Sequence, residues 1–154
     1  MMKVMQTMGA WLLLLPWLAV SCGPSGHAPS AAVTTMGKVE VTARLLEIPG
    51  TFPPNDLYDY AYVMKYRVIR VHRGPVEGQD LYVGHYNPLK PRAGAADKFS
   101  GKLGGNVDHF QVGDVHRMAL AFPLDQFYMG GIIDKHIKES GVRYWALWTE
   151  RARE

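Results

Sequence analysis

The feature that most constrains this fold is a long stretch, Tyr60 to Arg73, whose apolar residues change sides part-way along. Side chains of a strand alternate between its two faces, so apolar residues at every second position predict a half-buried strand. A strand that buries different faces at its two ends is typical of a small coiled barrel. The apolar residues of one parity are Tyr60, Tyr62, Met64, Tyr66 and Val68, and those of the other are Val63, Ile69 and Val71.

The same alternation predicts a strand over Lys38 to Ile48, where the apolar parity slips at Leu45-Leu46. A slip inside a strong strand pattern indicates a bulge or a sharp bend. Three more stretches have strand patterns. In the segment Leu124 to Ser140, by contrast, Ile132, Ile133, His136 and Ile137 recur at helical spacing, which predicts one short helix. The three further strands are predicted over Leu81 to Tyr86, Val115 to Phe122 and Val142 to Thr149.

Five strands, one short helix and one long irregular segment, Asn87 to Asp108, favour a mainly β fold. We predict a small five-stranded Greek-key barrel of OB-like type, with a two-sheet β-sandwich as the alternative. Segments of this length without regular structure are uncommon inside compact domains and are often functional. The alternative for this segment is a poorly packed surface excursion.

The N-terminus has the pattern of an export signal. Lys3 supplies a positive start, and Met8 to Val20 is an apolar run shorter than the ~20 residues that span a bilayer. The following stretch, Leu18-Ala19-Val20-Ser21-Cys22, resembles the lipobox of bacterial lipoproteins, although Ala19 stands where Leu is commonest. The resemblance implies cleavage before Cys22 and attachment of diacylglycerol to its sulfur.

These features divide the chain into three parts. We predict a signal peptide over 1–21, a lipidated Cys22 with a flexible Gly/Pro/Ser-rich linker over 22–37, and a single β-barrel domain over 38–154. Cys22 is the only cysteine, so the domain has no internal disulfide. The resemblance implies an extracytoplasmic protein of the cell envelope, anchored in the cell membrane or outer membrane. Gly23, in place of an Asp, points to the outer membrane.

The charge pattern argues against nucleic-acid binding. The chain carries 17 Lys and Arg against 14 Asp and Glu, and the two signs are interspersed rather than gathered in a basic stripe. No serine lies in a Gly-x-Ser-x-Gly turn, and no Gly-rich segment has the spacing of a phosphate-binding loop. We therefore expect no cofactor, and the sequence favours a non-catalytic role over an enzymatic one.

Two turns of the barrel pattern are similar to those of the netrin-like and metalloproteinase-inhibitor-like OB domains. A long second strand there ends in a basic residue and glycine, as in His72-Arg73-Gly74. A glycine-containing turn then leads into an apolar strand, as in Val112-Gly113-Asp114 before Met118. The chain lacks the disulfides and the amino-terminal Cys-x-Cys of that group, so protease inhibition is not implied.

The most polar cluster follows the third predicted strand, where a loop on a rigid scaffold is suited to function. His85 has the chemistry of a general base, and Lys90 and Arg92 can hold a carboxylate or phosphate. Pro88 and Pro91 also fit a rigid turn without any ligand. The candidate ligand-binding residues are His85, Tyr86, Asn87, Lys90 and Arg92.

A second polar cluster, His109, Asp114 and His116, has the residue types of a metal site. Metal sites need three or four ligands in suitable geometry. The alternative has Asp114 capping its turn and His116 exposed or half-buried on a strand, and we expect no metal.

The tyrosines and tryptophans suit recognition because they combine a large apolar face with a polar tip. We expect most of them in the core, with Tyr58, Tyr60 and Tyr128 partly exposed beside loops. The sequence favours non-catalytic binding or scaffolding, of an envelope protein or glycan, by a membrane-anchored domain. The alternatives are an accessory factor that binds envelope polysaccharide and a small His-dependent hydrolase or metal-binding protein.

Overall fold

The computed structural model describes residues 35–50, 60–88, 104–107 and 109–153. Within them lie seven strands and one 3-10 helix of three residues, Leu124–Gln126. The strands are β1 (Val39–Glu47), β2 (Tyr60–Arg73), β3 (Asp80–Tyr86), β4 (Gly104–Gly105), β5 (Val115–Ala121), β6 (Gly131–Ile133) and β7 (Arg143–Arg151). Cys22 and the predicted signal peptide lie outside the described residues, as does most of the linker.

Five of these strands close into a barrel. Strand β1 pairs antiparallel with both β2 and β5, β2 pairs antiparallel with β3, and β5 pairs antiparallel with β7. A parallel pairing of β3 with β7 completes the circuit. The predicted five-stranded Greek-key barrel of OB-like type is confirmed, and closure excludes the two-sheet sandwich.

Bulges let the two longest strands coil around the barrel. Leu45 lies opposite Tyr66 and Glu47 opposite Lys65, so that Leu46 is an extra residue on β1. This is the bulge that the parity slip predicts. On β2, two register shifts lie towards the Arg73 end of the strand. They lie beyond Tyr66, the last buried residue of β2, in a part of the strand where Ile69 and Val71 are exposed. The prediction that this end of the strand buries its other face is therefore wrong, because no described element covers these two side chains.

The barrel interior contains a single apolar core, drawn from all five closing strands. Its side chains come from alternate positions, as a period of two requires. The core members are Val39, Val41, Ala43, Leu45, Met64, Tyr66, Leu81, Val83, Met118, Leu120, Tyr144 and Ala146.

A second core lies outside the barrel, between the outer faces of β2, β3 and β7 and the connection from β5 to β7, residues 122–142. Tyr128 stacks on Trp145 with ring centroids 5.2 Å apart. Leu124 packs where Gly84 leaves room, because a Cβ at Gly84 would lie 2.2 Å from Leu124 Cδ1. The prediction that Tyr128 is partly exposed is wrong, since this stacking buries its ring.

The predicted helical spacing in this connection is also wrong for Ile132 and Ile133. Both lie in β6, which pairs in parallel with Tyr60–Tyr62 of β2. Gly131 meets the ring of Tyr60 so closely that a Cβ there would lie 2.5 Å from Tyr60 Cδ1. Strand pairing and this close approach outweigh local spacing. Among the described residues, no helix has the length and apolar character needed to cross a membrane.

The second core, which we call the outer core, leads to a prediction about stability. Leu124 is buried, whereas Met129, five residues along, is almost fully exposed. We expect Leu124→Ala to lower the free energy of unfolding by about 2–4 kcal/mol, because it removes buried methyl groups and leaves a cavity. Met129→Ala should change it by less than ~0.5 kcal/mol. Urea unfolding of both variants checks this, and equal effects would contradict the outer core.

Candidate functional site

Three polar side chains meet inside the apolar barrel. The hydroxyl of Tyr66 lies 3.1 Å from His85 Nε2 and 3.3 Å from His116 Nδ1. All three side chains are buried. The alternation that places Leu81 and Val83 inside β3 also turns His85 inward, and on β5 it turns His116 inward beside Met118.

Phe110 covers this His–Tyr–His cluster, which we call the interior triad. Its ring centroid lies 4.7 Å from that of His85 and 5.3 Å from that of His116. Met64, two residues before Tyr66 on β2, places its Sδ 3.9 Å from the Tyr66 hydroxyl. The triad is thus enclosed by an aromatic ring and a thioether, in surroundings of low polarity.

A line of polar groups leads from the triad to the surface. His116 Nε2 lies 3.8 Å from Asp114 Oδ2 and has no hydrogen-bond partner among the described residues. Asp114 Oδ2 accepts from the Gln111 amide at 3.1 Å, which is the turn cap expected of Asp114. An Arg151 nitrogen lies 3.4 Å from the same oxygen and 3.3 Å from His109 Nε2.

Burial sets the protonation state of His116. It lowers the pKa of the imidazole to about 4; the Asp114 carboxylate acts in the raising direction and the Arg151 guanidinium in the lowering direction. An uncharged imidazole carries one N–H and one bare nitrogen, so it can accept one hydrogen bond or bind one metal ion. The prediction of an exposed or half-buried His116 is wrong, because its strand position faces the interior.

The candidate ligand-binding residues do not share one surface. His85 points into the barrel, whereas Tyr86 lies in the outer core with its ring 5.8 Å from that of Tyr128. Asn87 has a positive φ of 41°, and its Oδ1 accepts from the Tyr60 amide at 3.2 Å, which joins the end of β3 to the start of β2. Lys90 and Arg92 lie outside the described residues, so binding by the whole set stays a prediction.

The weak metal candidates are brought near one another, but a cation separates two of them. The Arg151 guanidinium contacts both His109 and Asp114, and its positive charge opposes a metal ion at that point. In the part of the chain that the structure describes, no three His, Cys, Asp or Glu side chains group as metal ligands.

A second network, on the outside of the barrel, was not predicted from the sequence. Glu139 accepts hydrogen bonds from Tyr82 at 2.5 Å and from Lys65 at 3.0 Å, and lies 2.8 Å from His136 Nδ1. These bonds, that from Tyr82 foremost, lower the pKa of Glu139 to about 2. Arg143 pairs with Asp134 at 2.9 Å. The network fixes residues 134–143 against β2 and β3.

The far half of β2 is the most open part of the barrel wall. Ile69 and Val71 are 44% and 45% exposed. Arg70, which stands between them in the chain, and His72, which follows Val71, are also exposed. Arg70 makes no hydrogen bond or ion pair to another described residue. We call these four residues the β2 surface. Burial, then the Arg117 and Arg70 cations, lower the pKa of His72, and Glu40 acts in the opposite direction.

Charge beside the β2 surface is partly neutralised. Buried Glu40 accepts from Arg117 Nε at 2.7 Å, and Arg73 lies 3.9 Å from its other oxygen. Arg73 also donates to the Gly37 carbonyl at 2.6 Å, which ties the start of the domain to the end of β2. One carboxylate therefore faces two guanidinium groups here, and Arg70 adds a third cation.

No protein-family model matches the chain, and no curated protein or solved structure matches it either.

The buried His116 predicts a pH dependence of stability. Its folded pKa of about 4 lies below the unfolded value near 6.5, so between these values the unfolded chain binds the proton and the folded chain does not. Stability contributed by this group is complete above pH ~6.5 and falls by about 3 kcal/mol as the pH drops to ~4. His116→Gln should remove this slope, as urea unfolding across that range can measure.

His109→Gln is the matched control, because His109 is exposed and lies beside the same cap. Its pH slope should equal that of the parent protein. A His116→Gln protein that retains the full slope would show that other groups cause it.

Proposed function

We propose that the chain is an envelope lipoprotein, lipid-anchored at Cys22 on the extracytoplasmic side, whose barrel is a non-catalytic binding or scaffolding module. The lipobox-like Leu18 to Cys22 supports the anchor, and the Gly/Pro/Ser-rich residues after it supply a tether. The outer membrane is favoured over the inner membrane by Gly23. The barrel supports a binding role because a small closed sheet is a rigid platform for surface side chains.

The β2 surface is the observation that carries the binding role. Most described cations of the barrel wall are used internally: Arg67 pairs with Asp80, Arg117 with Glu40 and Arg143 with Asp134. Arg70 has no such partner among the described residues, and along β2 it stands between exposed Ile69 and exposed Val71. Exposed apolar side chains beside a guanidinium suit recognition of an anionic partner, because the guanidinium matches the geometry of a carboxylate or phosphate.

A second candidate function is narrower: an accessory factor that holds an anionic envelope polysaccharide. Arg70 favours an anionic partner, and the ring of His72, whose lowered pKa favours its neutral form, offers hydrogen bonding nearby. Ile69 and Val71 offer contact to the apolar faces of sugar rings. A His-dependent hydrolase has no such support, because His85 and His116 lie inside the barrel and hydrogen-bond Tyr66 there.

The first prediction about function concerns the proposed lipid anchor at Cys22. Cys22→Ser should release the protein into the soluble fraction or leave the precursor uncleaved, since stable anchoring needs two or more acyl chains. Ser25→Ala, in the same segment, should stay in the membrane fraction. Membrane fractionation with mass measurement of the N-terminal peptide reports both. A fully processed Cys22→Ser protein that remains in the membrane would contradict the lipid anchor.

A second prediction about function concerns the β2 surface. We expect Arg70→Glu to weaken binding to a soluble polyuronate about tenfold or more, because a charge-assisted hydrogen bond contributes about 1.5–3 kcal/mol. Added salt should weaken the parent's binding by screening. Arg153→Glu, an equal charge change at another exposed position, should bind nearly as the parent does. Titration calorimetry measures each, with neutral dextran as the ligand control.

If parent protein and Arg70→Glu bind the polyuronate equally, the β2 surface is not the glycan site. If the parent protein binds none, the polysaccharide candidate is wrong, and the wider binding role is then tested by capture of envelope proteins with parent and Arg70→Glu domains.

A further inference from the structure

Four potential metal ligands converge in the barrel interior. One is the hydroxyl of Tyr66. The others are Nε2 of His85 at 3.1 Å from that hydroxyl, Nδ1 of His116 at 3.3 Å and Sδ of Met64 at 3.9 Å. None of the four side chains is more than 2% exposed. We propose that these two imidazoles, the phenol and the thioether form a binding site for a single copper ion.

The separations of three donor atoms from the Tyr66 hydroxyl match those expected around one ion. Nitrogen and oxygen ligands at bonds of about 2.0–2.1 Å and near-tetrahedral angles lie about 3.3 Å from each other. The two imidazole nitrogens stand at 3.1 and 3.3 Å from the phenol oxygen. The sulfur at 3.9 Å fits the longer, weaker bond that an axial methionine makes to copper.

A carboxylate stands where a second coordination sphere is usually found. A histidine that binds a metal through one nitrogen commonly donates its other N–H to a carboxylate or carbonyl. His116 presents Nδ1 to the proposed site, and its Nε2, which lacks a hydrogen-bond partner among the described residues, lies 3.8 Å from Asp114 Oδ2. A small approach of the Asp114 turn completes that hydrogen bond.

The donor types select copper among the metals a cell offers. Magnesium and calcium prefer oxygen ligands, whereas imidazole suits zinc, copper and iron, and a thioether suits copper in particular. For a common donor set, Cu²⁺ also binds more tightly than the other divalent first-row ions. Binding of Cu²⁺ to the phenolate releases the Tyr66 proton to solvent, and that phenolate offsets one of the two charges.

Hydrogen bonding alone is the competing account of the same atoms. The single proton of Tyr66 can be donated to one imidazole while the hydroxyl oxygen accepts from the other. In that account the Met64 sulfur only accepts a weak hydrogen bond from the same hydroxyl, whereas in a metal site it is a ligand. The two accounts therefore differ in whether Met64→Leu changes the affinity for copper. The site is independent of the lipid anchor and of the β2 surface.

The test begins with the full chain, purified and stripped of metal by chelation. We expect it to bind one equivalent of Cu²⁺ against a competing chelator, with a visible phenolate-to-copper absorption band. Tyr66→Phe should lose this band, and Tyr144→Phe, which alters another buried tyrosine of the same core, should keep it. Asp114→Asn should weaken Cu²⁺ binding about 10–100-fold, the usual effect of losing such a partner.

Met64→Leu is the variant that keeps the experiment decisive, because this exchange conserves volume and the fold tolerates it. It should weaken Cu⁺ binding at least tenfold, while Met118→Leu, in the same core, leaves it unchanged. Cys22 and the exposed histidines are present in every variant, so adventitious binding is common to all. The proposal is overturned if the parent takes up no stoichiometric copper, or if both leucine variants match the parent in copper affinity.

Discussion

Closure of the barrel through bulged strands is the constraint on which the rest of the structure depends. Without the extra residue at Leu46, Ile48, which packs against the barrel core, would lie on the opposite face of the chain. The register shifts on β2 let the longest strand bend around the barrel beyond Tyr66, where Ile69 and Val71 are left exposed. Closure then brings β3 and β5, which are not neighbours in the sheet, to opposite walls of one narrow interior. His85 and His116 can meet Tyr66 only because of that geometry.

Local patterns in the sequence were enough to predict the five barrel strands and the bulge in β1. Alternation is a property of each strand alone, and the slip at Leu45-Leu46 is visible without any knowledge of the partner strand. The pairing of β6 with β2 was not predictable in this way. It joins residues some seventy positions apart, and Ile132 to Ile137 happen also to satisfy a helical period.

The interior triad was predictable only in part. Parity alone places Tyr66, His85 and His116 on inward faces, because each continues the apolar positions of its own strand. Their meeting at one point depends on register and barrel tilt, which no single strand specifies. The positive φ of Asn87 likewise follows from a turn that must bring β3 back towards Tyr60. The metal hypothesis from the sequence named His116 together with His109 and Asp114, its neighbours along the chain, and did not include Tyr66.

The polar interior needs a physical reason, because burial of two imidazoles and a phenol costs free energy that an apolar core would not. Such networks persist when every member is satisfied, or when they perform a task. Phe110 and Met64 keep water from the triad, and low polarity strengthens each hydrogen bond within it. A leucine in place of His116 would avoid the desolvation cost, so the imidazole there is best explained by what its two nitrogens bind.

The outer network determines where a partner can reach the barrel. OB-type barrels bind ligands across the second and third strands and the loops beside them. Here residues 122–142 cover that face, and Glu139, held by Tyr82, Lys65 and His136, fixes the cover in place. The part of β2 beyond Lys65 and Arg67 is left open, since β3 ends its pairing at Asp80 opposite Arg67. The proposed binding role therefore assigns a ligand of the described wall to Ile69 through His72. Among the described residues, this is the stretch of β2 that carries both exposed apolar area and an unpaired guanidinium.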